Sequence, residues 1–175
     1  TSASGLQELM KTFTETADSV SKQIARRNLD VEGLQHALPS FNLDVNASGR
    51  GLLGQYLHTV GMSVDTVYMN FANDSLIWGK IGLLNASNGS MKADTLTLKF
   101  RQRDKLLDYY AHMGNRINNS SLAEFADVNL NGYLGSNRVL LSVTQKNQQG
   151  ETGYRLGMTG AVTDSVVSVH FTPLK

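Results

Sequence analysis

Residues 91–101 read MKADTLTLKFR, and from Thr95 onward they alternate: Leu96, Leu98 and Phe100 fall between Thr95, Thr97, Lys99 and Arg101. A period of two sends successive side chains to opposite faces, so this run predicts a strand with one dry and one wet face. Sheets that stay wet on one face are typically antiparallel. Working upstream, Phe41, Leu43, Val45 and Ala47 alternate with Asn42, Asp44 and Asn46 in the same way. Further strands are predicted over about Gln55–Val64, Thr66–Phe71 and Ser75–Leu83, and downstream over Val128–Leu134, Arg138–Lys146, Thr152–Val162 and Val166–Phe171. Asn73-Asp74, Asn85 to Gly89, Gly135-Ser136-Asn137, Asn147 to Gly150 and Asp164-Ser165 supply turn residues between them. Short turns between alternating runs predict antiparallel hairpins.

Two segments read as helices. From Ser4 to Asn28, Leu6, Met10, Phe13, Ala17, Val20 and Ile24 recur at spacings of four and three, one stripe of a long amphipathic helix. Ser4 and Gln7 open it as a capping box, and Arg26 and Arg27 close it where cations favour the helix dipole. Within Asp104–Ile117, Leu106, Leu107, Tyr110, Met113 and Ile117 suggest a second apolar helix face, followed by a Ser121/Glu124 box. A short helical turn is expected over Val31–Leu38, ended by Pro39.

The expected fold is therefore α+β: a curved antiparallel sheet or partial barrel packed with helices, behind the long amphipathic N-terminal helix. The 175 residues suit a single domain 1–175, with the helix about 4–28, sheet about 40–101, a helical insertion about 104–126 and sheet about 128–172. An apolar fraction of 41% supports a packed core, and a net charge of +1 gives no global basic field for nucleic acid. With no cysteine, disulfides and thiolate metal sites are excluded. No run reaches the ~20 apolar residues of a transmembrane helix.

Several motifs carry the outline of a chemistry. Gly49-Arg50-Gly51-Leu52-Leu53-Gly54 has the G-x-G-x-x-G spacing of a dinucleotide loop, but the strand before it alternates, unlike a doubly buried parallel strand, and no βαβ series follows. Asp127-Val128-Asn129-Leu130-Asn131-Gly132 matches half an EF-hand loop, yet Arg138 stands where the closing carboxylate belongs. His36, His58, His112 and His170 lack local metal spacing. Six Asn-X-Ser sequons, beginning at Asn46, Asn73, Asn85, Asn88, Asn118 and Asn119, read as turn composition. Lys99, Arg101, Arg103 and Lys105 could contact phosphates or acidic headgroups, but no aromatic side chain is expected to interleave with them on that strand face. There is no G-x-S-x-G, no cysteine nucleophile and no close carboxylate pair, so neither catalysis, a cofactor nor a metal is expected. Trp78, Met69, Met91, Tyr110 and Met113 are the candidate walls of an apolar pocket, because flexible Met beside aromatic rings suits an adaptable site.

In element order the chain resembles envelope lipid and lipoprotein carriers of the LolA/LolB kind. The resemblance rests on the Leu6–Ile24 stripe, the alternating strands Phe41–Ala47 and Met91–Phe100, the helical break Asp104–Ile117 and the returning strands Val128–Phe171. It implies a curved sheet with an apolar cavity, a lipid or lipidated protein as partner and a periplasmic or secreted bacterial location. These 175 residues hold no cysteine to carry the lipid anchor of the LolB type. A module that docks a protein partner through the helix Leu6–Ile24 is the alternative.

Overall fold

The computed structural model describes residues 11, 14–15, 18–19, 21–23, 30–89, 91–115, 126–162 and 166–173. Of the predicted first helix, the described positions between 11 and 23 have helical backbone, with Lys11 and Glu15 paired across one turn at 3.8 Å. Its apolar stripe, Leu6 to Ile24, lies outside the described residues, as do Ile117, Ser121 and Glu124.

Sheet dominates the described fold. Nine strands follow one another as β1 Phe41–Ser48, β2 Thr66–Asn73, β3 Ile77–Asn88, β4 Met91–Arg103, β5 Leu106–Gly114, β6 Asp127–Gly135, β7 Arg138–Lys146, β8 Thr152–Val162 and β9 Val167–Pro173. Each pairs antiparallel with the next, in the order β1 to β9, and β1 and β9 are edges of an open meander. Turn chemistry fixes the registers. Gly89 (φ +57) sits inside the closing pair Asn88–Met91, Asp104 (φ +52) inside Arg103–Leu106, and Ser136 and Asn137 (φ +49 and +58) inside Gly135–Arg138. These are the left-handed conformations that two-residue hairpins require.

Two predictions are corrected here. Leu106–Gly114 is strand β5, not a helix. The apolar spacing that suggests a helix also satisfies period two, with Leu107, Tyr109, Ala111 and Met113 on one side and Leu106, Asp108, Tyr110 and His112 on the other. Pairing with both β4 and β6, together with aromatic residues that favour a pleated surface, decides for the strand. Conversely, the first half of Gln55–Val64 is helical: Leu52–Thr59 forms a helix, here α2, after α1, Val31–Ala37. Gly51 caps its start, and a Schellman motif closes it: Met62 N donates to the Leu57 carbonyl and Gly61 (φ +80) to that of His58.

Both helices hold to β1–β4. Leu53 and Leu57 of α2 pack on a core of Val64, Val67 and Ala86, joined by Ala47, Met69, Leu83 and Leu96. At the opposite end, α1 is fastened by polar side chains. Asn73, only 3% exposed, donates its amide to the carbonyls of Gln35, Leu38 and Pro39 at 2.9–3.1 Å, which closes the C-terminus of α1. Buried Gln102 accepts from Ile77 N and donates to the Gln35 side chain and the Asp104 carbonyl. Asn73 therefore serves the fold as a cap, and its buried side chain cannot act as a sequon.

Rings lie over glycines on the sheet. Tyr109 sits beside its cross-strand partner Gly132 and donates its hydroxyl to the Leu140 carbonyl at 2.8 Å. A Cβ at Gly132 would meet that carbonyl oxygen, a backbone atom with little room to yield. Gly132→Ala should therefore cost about 1–3 kcal/mol as an overpacking change; urea unfolding checks it, and a midpoint equal to wild type would refute the steric reading.

Candidate functional site

The registers assign every strand residue to one of two faces. On one, Val45, Met69, Ile81, Leu98, Ala111, Leu130, Val143 and Leu156 form an unbroken cross-strand row from β1 to β8. The row beside it runs Leu43, Phe71, Gly79, Phe100, Tyr109, Gly132, Leu141, Met158 and Phe171, through all nine strands. Eight interstrand spacings of ~4.8 Å make this apolar surface about 38 Å wide. The short helices α1 and α2 cover it at the two ends of β1–β4. Most of its side chains are half-buried, and several are exposed: Leu98 at 41%, Leu156 at 45%, Val169 at 47% and Phe171 at 67%. Among these, exposure is greatest at β9.

The other face is polar. One row carries Asp44, Asn70, Lys80, Lys99, Tyr110, Asn131 and Ser142, and the next Asn42, Ala72, Trp78, Arg101, Asp108 and Tyr133. Here lies a groove of about 710 Å³, lined by Trp78, Lys80, Lys99, Arg101, Asp108 and Tyr110, with Asp74, Ser75 and Leu76 of the β2–β3 turn at its end. Arg103 grips Asp108 through two hydrogen bonds of 2.8 and 3.0 Å. The bond to Arg103 holds the Asp108 carboxyl below its ordinary value. That contribution is present at neutral pH and fades as pH falls through the lowered value, and solvent keeps it small because both side chains are well exposed. Further along the face Tyr110 stacks on His112 and donates to Asn129 at 2.7 Å, and His112 meets Asp127 at 3.2 Å.

The five candidate pocket residues divide between these faces. Trp78 and Tyr110 share the polar groove, whereas Met69 and Met113 point to the apolar side. The backbone of Met91 pairs with Asn88 at the β3–β4 hairpin. The expectation that no aromatic residue accompanies the basic cluster is overturned. Tyr110 is the register partner of Lys99 and Trp78 that of Arg101, both from neighbouring strands.

The remaining motifs resolve into structure. Gly49 and Gly54 give room to the chain itself: a Cβ at Gly49 would strike the Val64 carbonyl, and one at Gly54 the Gly49 carbonyl. The glycines of 49–54 thus serve close packing between a strand end and α2. Asp127, Asn129 and Asn131 stand along β6 on one face, ~6.8 Å apart in sequence steps of two, so they do not converge on one ion. Among the described residues no three His, Asp or Glu side chains gather where they could hold a metal, and no helix is long and apolar enough to cross a membrane. Searches of family models, of curated proteins and of solved structures return no match to this chain.

Proposed function

We propose that this chain binds an apolar ligand, a lipid or the acyl chain of a lipidated protein, as a non-enzymatic domain of the bacterial envelope. The observation that carries the reading is the apolar face, continuous across nine strands and covered at two ends by short helices. In this reading the sheet is the wall of a partial barrel, curved around its apolar side as in carriers of the LolA/LolB kind. An acyl chain laid on it would move CH₂ groups out of water at ~0.8 kcal/mol each. The half-covered state of Leu98 and its neighbours suits a surface that trades water for ligand without unfolding.

A second reading is supported by β9. This edge strand exposes Val169 and Phe171 and has no second strand partner among the described residues, a template for another chain. Native mass spectrometry of the purified protein separates the two. Co-purifying lipid on a monomer is expected; a lipid-free dimer would favour assembly through the edge and reject the carrier reading.

A further inference from the structure

The polar groove joins charge and aromatic surface in a way the fold itself does not use. Lys80 and Lys99 are direct register partners on β3 and β4, and Arg101 lies one step along the same face. Like charges placed directly opposite on a sheet destabilise it. The two lysines lean apart onto rings, Lys80 over Tyr68 at 4.8 Å and Lys99 over Tyr110 at 5.5 Å. A ring face attracts an ammonium but leaves its N–H donors free for an anion. Asp108, the register partner of Arg101, is committed to Arg103. Among the described residues, none of Lys80, Lys99 and Arg101 has a carboxylate within ion-pair distance, and with Asp108 held by Arg103 the three cations face only Asp74, at the end of the same concavity. Trp78, exposed and opposite Arg101, adds a flat apolar wall. A groove of about 710 Å³ is of small-ligand size.

We infer that this groove is a binding site for a phosphate-bearing anion of small size, held by Lys80, Lys99 and Arg101 with Trp78 as its wall. The site lies on the face opposite the apolar rows and stands independently of the lipid reading. A soluble metabolite and a phospholipid headgroup present the same phosphate, and the chemistry of recognition is the same. A polynucleotide is disfavoured, because the chain has a net charge of only +1 and the cations are confined to one groove.

The test is titration of the full chain with inorganic pyrophosphate at low ionic strength, read by the emission of Trp78, the only tryptophan. Saturable binding that weakens with added salt is expected. Lys80→Gln and Lys99→Gln should each weaken it about tenfold, as loss of one charge-assisted contact does. Lys92→Gln, which removes the same charge at the β3–β4 hairpin outside the groove, should leave it unchanged. Circular dichroism of all three variants keeps a folding defect from passing as a binding defect. Sedimentation with phosphatidylcholine vesicles, with and without phosphatidylglycerol, distinguishes the sources. Retention on anionic vesicles released by pyrophosphate identifies a headgroup; pyrophosphate binding without retention identifies a soluble phosphate. Three results would overturn the site: no saturable emission change, equal weakening by Lys92→Gln, or affinity for single-stranded oligonucleotides that grows with length beyond the groove.

Discussion

Asn73→Asp should destabilise the protein by about 3–5 kcal/mol at neutral pH, the scale of an uncompensated buried charge. The side chain at position 73 is 3% exposed and its amide nitrogen serves three carbonyls at the end of α1. A carboxylate there would set oxygen against oxygen in place of three hydrogen bonds, with no cation in reach among the described partners. Burial and these carbonyls would raise its pKa in the folded state. An acid whose folded pKa is raised destabilises most above that value, so the deficit should shrink as pH falls through it. Asn73→Ala removes the donor without adding charge and should cost less, about 1–3 kcal/mol, with little pH dependence. Urea unfolding at two pH values gives the comparison. Equal losses for both variants at both pH values would show that the amide does not act as the cap described.

Much of the sheet was legible in the sequence because each strand reports its own two faces. In residues 95–101 the leucines and Phe100 separate from the cations by parity alone, and the structure places them on opposite faces. Arg138–Lys146 and Thr152–Val162 carry their boundaries in their turn residues. What one strand cannot report is its neighbour. Trp78 and Met69 both lie in apolar runs, and only the β2–β3 register, Ala72 against Trp78 and Met69 against Ile81, shows that they face opposite ways.

One misread segment hid the polar groove. Read as a helix, residues 104–117 take Tyr110 away from β4. As strand β5 they return at the Asp104-Lys105 turn and set Tyr110 beside Lys99 and Asp108 beside Arg101. Helical and strand periods coincide at Leu106 and Tyr110, four apart, and only Met113, on the opposite strand face, separates them, so periodicity over nine residues could not decide. The deciding interaction, pairing on both sides with β4 and β6, is non-local. The reverse error at Leu52–Thr59 had a local signal. Leu53 and Leu57 are four apart, and Gly61 stands where a Schellman motif wants a left-handed residue.

Leu98→Asp should reduce affinity for a fatty-acid probe by ~100-fold or more while leaving the fold nearly as stable as wild type. Leu98 lies mid-row between Ile81 and Ala111, and its 41% exposure lets a carboxylate reach water when the face is empty. An acyl chain across the row would cover that carboxylate, and ~100-fold corresponds to ~2.7 kcal/mol, a modest desolvation cost for an unpaired charge. Leu156→Asp, four strands away in the same row, should act the same way if the chain spans that width, and spare binding if the chain ends near β4. Trp78 supplies an internal control, since it stands on the other face among Lys80 and Arg101. Its emission should respond to pyrophosphate and stay nearly constant as the fatty-acid probe saturates. If Leu98→Asp binds the probe as tightly as wild type, or the probe quenches Trp78 in step with its own binding, the apolar ligand does not lie on the leucine face and the carrier reading loses its supporting observation.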